Sequence, residues 1–255
     1  MTGPSDTAQF AEHVVIVTGA GSGIGRATAI KFAEAGAHVL GIGRRRDALD
    51  TTRRAHPRIS VLAADIREPR APQAIVDAAL DRWNRLDVLV NNAGATAVMP
   101  LAEVVADRIT DLLDLHVVAP SLLASAALPH LRQTGGSIIN ISSTYGHRPA
   151  PGAAHYAASK AALEQLTRCW ALELASDGIR VNALAPGPTE SEALSVAGLP
   201  EQVVNQIKHD EVNRIPLGRR GDPDEVSAWV LRLADPAAAW LTGQVLTVDG
   251  GLELT

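Results

Sequence analysis

Short, largely apolar runs recur along this chain, most of them followed by a glycine- or asparagine-bearing turn and then by a segment with helical spacing. Val14-Val15-Ile16-Val17 is the first, and its lack of polar alternation predicts a parallel strand covered on both faces. Runs at 38–42, 59–63, 86–91, 137–141, 179–184 and 244–248 predict six further strands. Between them, a helix is predicted from near Ile24 to Ala35, stopped by Gly36, and a longer one across 103–131. After Tyr156, Leu163, Leu166, Trp170 and Leu174 recur at three- and four-residue steps, an apolar stripe that ends at Gly178. Asp222-Pro223-Asp224-Glu225 combines a capping acid, a proline at the first helical position and a glutamate three residues after the cap, so another helix starts there.

Seven strands alternating with helices imply right-handed crossovers and a single Rossmann-like α/β domain: a doubly wound, seven-stranded parallel sheet flanked by helices, with its site at the carboxyl ends of the strands. We expect residues 1–12 to be a flexible N-terminus and 13–255 to form that one domain, without repeat or linker. A length of 255 residues suffices for one sizeable core, and hydrophobic content of 46% argues against disorder. The net charge of −5 offers no footprint for nucleic acid or an anionic membrane. Cys169 is the sole cysteine, which excludes an intrachain disulfide or a thiolate cluster. Residues 1–6 lack a basic and an apolar leader region, and no apolar run approaches eighteen residues, so a soluble cytoplasmic protein is expected.

Two stretches carry candidate chemistry. After the first strand comes Thr18-Gly19-Ala20-Gly21-Ser22-Gly23-Ile24-Gly25, whose glycines permit a tight turn and let backbone amides at a helix N-terminus approach a pyrophosphate. The second runs from Ser142 to Lys160. Tyr156 and Lys160 are four residues apart, on one helical face, where an ammonium favours ionisation of a phenol that otherwise titrates near pH 10. Ser143, thirteen residues before the tyrosine, can bond the oxygen that exchanges the proton, an arrangement suited to interconverting a carbonyl and an alcohol. Between them, Tyr145, His147 and Arg148 lie where side chains can face substrate; the loop histidines and His155 read as surface residues. No His or acidic pair has the spacing of a metal site.

Asn140-Ile141-Ser142-Ser143 followed by Tyr156-Ala157-Ala158-Ser159-Lys160 resembles the active site of the classical short-chain dehydrogenases/reductases, and the Gly19, Gly23, Gly25 spacing matches that family's glycine pattern. The likeness spans Val14 to Gly251. It implies catalysis by Ser143, with Ser142 as fallback, Tyr156 and Lys160, the lysine also binding the nicotinamide ribose. It implies a cofactor site of Gly19, Ser22, Gly23, Ile24 and Gly25, Asp65 and Ile66 at the adenine, the Asn92-Ala93-Gly94 turn, and Pro186, Gly187 and Thr189 flanking nicotinamide. At the end of the second strand, Gly43 leaves room for a 2′-phosphate that Arg44, or next Arg45, can hold, so NADP(H) is favoured over NAD(H), although neutral Ser22 keeps NAD(H) open. His116 stands where the family has an asparagine, and we expect it to take part in proton relay as a group titrating near neutrality. Residues 190–214 resemble a mobile substrate lid. The expected partners are a small carbonyl or alcohol substrate and further copies of the chain, as a dimer of dimers. The alternative is a nucleotide-binding sensor or assembly subunit with a decayed site; an epimerase of the extended branch is disfavoured by the short tail.

Overall fold

The computed structural model describes residues 9–191 and 200–255. Its strands are β1 (Val14–Thr18), β2 (His38–Gly43), β3 (Ile59–Ala63), β4 (Val88–Asn91), β5 (Ser137–Ile141), β6 (Arg180–Pro186) and β7 (Val245–Val248). All pair in parallel in the order β3-β2-β1-β4-β5-β6-β7. The chain winds outward from β1 to β3, then back across to β4 and on to β7, so the strand order reverses between β1 and β4. Ligands of such sheets bind outside the carboxyl ends at that reversal.

The helices are α1 (Gly23–Glu34), α2 (Arg46–Ala55), α3 (Ala71–Trp83), α4 (Ala106–Leu113), α5 (Ala119–Thr134), α6 (Ala154–Leu174), α7 (Glu201–Arg214) and α8 (Pro223–Ala234). Because successive strand side chains point to opposite faces, the apolar runs serve two cores. Val15 and Val17 join Phe32 of α1 and Val226 and Val230 of α8 on one face. Val14 and Ile16 join Ile75 of α3 and Leu123 and Leu131 of α5 on the other. The predicted start of α8 is a full capping box, with Asp222 accepting from the Asp224 amide and Glu225 reaching back to the Asp222 amide.

Two expectations change. Phe10, inside the segment expected to be flexible, is fully buried: its ring packs edge-on against Phe32 at 5.0 Å and its amide donates to the Ala35 carbonyl at 2.9 Å. Burying one phenyl ring is enough to fix residues near it, whatever the polarity of their neighbours. Residues 1–8 lie outside the described residues. The long helix expected across 103–131 is instead broken into α4 and α5 by a π-helical turn at Asp114–Val118. Taken together, Ala106–Thr134 is long enough to span a membrane and holds an 18-residue stretch of mean hydropathy 1.5, apolar enough by length and composition. Its Ala119, Leu123, Ala127 and Leu131 are nevertheless spent on the sheet's core.

Candidate active site

The site is built where β5 and α6 meet. Leaving β5, the chain extends through Ser143 (φ −163°) into a short 3-10 turn at Thr144–Gly146, and the Ser143 hydroxyl accepts from the Tyr145 amide at 3.2 Å. The same hydroxyl stands near enough to the Tyr156 phenol to favour its ionised form. Ser142, the fallback, is committed elsewhere: its hydroxyl donates to Glu164 Oε1 at 2.8 Å, on the buried side. Geometry therefore puts Ser143, not its neighbour, at the tyrosine.

Tyr156 and Lys160 occupy successive turns of α6, as the spacing requires. Lys160 Nζ donates to the Ile141 carbonyl at 2.9 Å and stands 5.9 Å from the centre of the Tyr156 ring. The lysine is only 4% exposed. Burial lowers its pKa to about 8, with the carboxylate of Glu164 partly opposing the shift. The tyrosine departs from expectation. Burial pushes the phenol above its ordinary value, the Ser143 hydroxyl opposes this, and Tyr145 adds to it. In the bare protein, then, the low-dielectric surroundings outweigh any help from the lysine.

His116 lies in the π turn and is 1% exposed. The Ala95 amide donates to its Nε2 at 3.1 Å, so the ring proton sits on Nδ1, which faces Ser159 Oγ at 2.8 Å. The Ser159 hydroxyl in turn donates to the Tyr156 carbonyl at 2.7 Å. The imidazole meets the Tyr156 ring edge-on at 5.7 Å. Burial, reinforced by the Lys160 charge, lowers its pKa to about 2. The expectation of a group titrating near neutrality is corrected: the ring is neutral at any working pH, held as a bridge between the turn after β4 and the first turn of α6.

Opposite this cluster, the chain forms a cradle. Gly19 has φ +70°, and a Cβ on Gly25 would fall 2.3 Å from the Gly19 carbonyl oxygen, so the loop closes only with glycine at both positions. Ser22 caps α1 in extended conformation with no side-chain cap bond, and the first turn holds no acid. Its amides are thus not answered by a carboxylate, which suits an anionic group there. Gly23 faces Ser191, five residues beyond β6, whose Cβ would lie 3.2 Å from a Cβ at Gly23, and Ile24 packs against the core on that face. Thr18 Oγ1 accepts from the Asn92 and Ala93 amides at 2.9 and 3.0 Å, and Asn92 Nδ2 donates to the Thr18 carbonyl at 2.8 Å. Gly94 follows, where a Cβ would sit 3.2 Å from His116 Nε2 and 3.5 Å from Lys160 Nζ. The glycine loop, the Asn92-Ala93-Gly94 turn and the lysine therefore border one space.

At the far end, Gly43 closes β2, Arg44 is exposed beyond it, and Arg45 caps α2. Asp65, expected at the adenine, is held by Arg67 at 2.7 Å, which lowers its pKa, with Arg44 contributing to the same field. Ile66 is buried beside it. Pro186 and Gly187 lie against the C-terminal turn, where a Cβ on Gly187 would meet Asp249 at 2.6 Å, and Thr189 Oγ1 donates to the Gly187 carbonyl at 3.0 Å. Of the expected lid, residues 192–199 lie outside the described residues. The rest is mainly α7, tied down by Lys208 to Glu190 at 2.6 Å and by Arg220, which pairs with Glu190 at 2.9 Å and with Glu211.

Sequence reasoning missed Glu164, which is 3% exposed beside Lys160, and treated His147 as a surface residue. The signal was present: Tyr156, Lys160 and Glu164 recur every four residues along one face, and an acid on the inward face of a helix asks for partners.

A doubly wound parallel sheet with a glycine loop at its strand-order reversal and a Ser-Tyr-Lys cluster across from it defines a dinucleotide-binding oxidoreductase. Comparison narrows the class. Residues 19–253 match the family described as Enoyl-(Acyl carrier protein) reductase. A 3-oxoacyl-(acyl-carrier-protein) reductase of Thermotoga maritima is 34% identical over 94% of this chain and 98% of its own. Meso-2,3-butanediol dehydrogenase of Serratia marcescens is 32% identical over 95% of each. The crystal structure of a short-chain dehydrogenase/reductase of unknown function from Caenorhabditis elegans, solved with cofactor, superposes with a TM-score of 0.91 at 33% identity over 97% of both chains. The chain belongs to the short-chain dehydrogenase/reductase family, and it is an oxidoreductase of that type.

Proposed function

We propose that the protein is an NADP(H)-dependent ketoreductase-type enzyme, interconverting a ketone and a secondary alcohol. The observation that carries this reading is the meeting of Ser143, Tyr156 and Lys160 at the carboxyl ends of β5 and β4, across from the glycine loop. When bound, the nicotinamide supplies or takes up the hydride. The chain's own residues handle the oxygen. Ser143 donates its hydroxyl to the substrate oxygen and holds it at the phenol, and Tyr156 gives that oxygen its proton in reduction or removes it in oxidation. Lys160 places a positive charge behind the tyrosine, opposing the burial that otherwise keeps the phenol protonated. His116 takes part as a neutral bridge that fixes the turn bearing Tyr156, not as an acid or base.

Cofactor binding falls to the α1 amides behind Gly19, Ser22, Gly23, Ile24 and Gly25, to the backbone of Asn92, Ala93 and Gly94, to Ile66 and Asp65 at the adenine end, to Lys160, and to Pro186, Gly187 and Thr189. Arg44, exposed beside the small Gly43, supplies the charge that selects a 2′-phosphate, with Arg45 adjoining it. Relatives named for 3-oxoacyl and vicinal-diol substrates support a carbonyl or secondary-alcohol class for this chain too. We further propose a cytoplasmic homo-oligomer, a dimer of dimers, with α7 acting in the substrate lid.

Oxidation of NADPH by a panel of ketones, run beside Tyr156→Phe, tests the reaction. Loss of general acid–base catalysis predicts a fall in kcat of roughly a hundredfold or more with cofactor binding retained. Tight binding without Tyr156-dependent turnover on any ketone would favour a sensor or assembly role instead. Calorimetric titration with NADPH and NADH, repeated on Arg44→Ala, tests the cofactor: equal affinities in the parent, or a preference that survives Arg44→Ala, would remove the phosphate assignment.

A further inference from the structure

Behind the catalytic serine, one imidazole is gripped between two carboxylates. His147, which follows the short turn after Ser143, places Nδ1 at 3.2 Å from Glu164 Oε1 on α6 and Nε2 at 2.8 Å from Glu253 Oε2 in the C-terminal turn. An acceptor-only oxygen faces each ring nitrogen, so both nitrogens must donate, and the ring is an imidazolium in this arrangement. The surroundings confirm that the grip is built in. The Ser142 hydroxyl donates to the same Glu164 oxygen at 2.8 Å, and Thr247 Oγ1 donates to Glu253 Oε2 at 2.8 Å. Gly146 leaves the necessary room, since a Cβ there would fall 2.3 Å from Glu164 Oε1. Two more bonds run alongside. Thr144 Oγ1 donates to Asp249 Oδ2 at 3.2 Å, and Arg148 donates to the Thr255 carbonyl at 2.9 Å.

We propose that His147, in its doubly protonated form, is a positioning residue that clasps the Ser143 loop between α6 and the C-terminal turn, so that the alignment of Ser143 with Tyr156 depends on pH through this ring. The proposal rests on the Ser143–Tyr156 chemistry above and deepens it. The charged groups that face the ring are Glu164 from α6 and Glu253 from the C-terminal turn. Arg168 lies 4.0 Å beyond Glu164, while Asp249 and Arg148 flank the loop through bonds of their own. Burial works against the imidazolium, but the two carboxylates outweigh it and raise the His147 pKa above its ordinary value. With a raised pKa, the clasp is complete below about pH 6.5 and is lost as pH climbs through the higher folded value. A neutral ring can then donate to only one carboxylate, and the loop gains freedom at the point where Ser143 must be fixed.

The test has two arms. In the first, the His147 ring proton resonance is titrated by NMR in the parent and in Glu253→Gln, together with amide exchange of residues 143–148. We expect a parent midpoint above 6.5 that falls in Glu253→Gln, and faster loop exchange above that midpoint. A parent midpoint at or below 6.5, or loop exchange indifferent to it, overturns the clasp. In the second arm, kcat and KM of Tyr156-dependent ketone reduction are followed from pH 6 to pH 9 in the parent, Glu253→Gln and His147→Gln. Losing one charge-assisted bond predicts a kcat roughly three- to tenfold below the parent at pH 6, converging on it at pH 9, with KM for NADPH unmoved. A constant ratio across pH overturns the positioning role. The first arm needs no turnover, so failure of the proposed reaction and failure of the clasp are read separately.

Discussion

Lys160 offers the sharpest check on the electrostatics, because its burial should make this lysine a liability to the fold. A cation whose pKa drops from 10.5 to about 8 on folding costs on the order of 3 kcal/mol at neutral pH, at about 1.4 kcal/mol for each pKa unit. The unfolded chain holds that proton more tightly, so this cost is fully present below pH 8 and is relieved as pH rises to 10.5. Lys160→Met keeps the length and removes the charge. It also strips the Ile141 carbonyl of its donor, which costs about 1–3 kcal/mol for a buried acceptor. At pH 7 the two effects nearly cancel or leave the variant about 1–2 kcal/mol more stable. At pH 10.5 only the lost bond remains, and the variant should be the less stable by about 1–3 kcal/mol. Urea unfolding of both proteins without cofactor, at several pH values between 7 and 10.5, measures the gap, and taking their difference cancels every group they share. A gap that does not move with pH would refute the premise that burial governs this lysine.

Two further outcomes follow from the same geometry. Gly25→Ala forces a Cβ to within 2.4 Å of Asn92 Nδ2 as well as the Gly19 carbonyl, so the loop must open; NADPH affinity should fall roughly tenfold or more by calorimetry, while circular dichroism stays that of the parent. His116→Asn should lower kcat without removing any inflection from the pH–rate profile, because the imidazole is neutral throughout; an inflection near neutrality that vanishes in the variant would show that the ring titrates after all.

The strands were legible because most of them, β1, β4 and β5 above all, are buried on both faces and so mainly apolar, and that pattern needs no partner to be read. The glycine loop, Ser143, Tyr156 and Lys160 were legible through fixed spacings. What escaped were properties conferred by distant contacts. Nothing local in Asp114–Val118 marks a π turn; the turn appears where His116 must reach both Ala95 and Ser159. The neutrality of His116 and the raised pKa of Tyr156 come from burial, which a side chain's identity does not record. His147 looked like a surface histidine because its two partners lie 17 and 106 residues away. Phe10 escaped for the same reason, its ring pocket being supplied by α1.

The buried polar groups are not scattered. From β4, Asn91 donates to Asn140 of β5 at 2.9 Å, and Asn140 donates to Thr167 of α6 at 2.9 Å. One turn back along α6 come Glu164 with Ser142, then Lys160 with Ile141, then Ser159 with His116. Well-packed apolar side chains of similar volume would hold β5 to α6 at least as firmly, and without a buried ammonium. A network whose members all find partners instead fixes one arrangement of its elements and resists sliding of the helix along the sheet. That is what the proposed chemistry requires, since Ser143 directly follows β5 and Tyr156 lies on α6, and the phenol can serve a substrate oxygen only if the two elements keep their register. The polar seam is therefore best understood as the part of the core that trades stability for a fixed distance between those two hydroxyls.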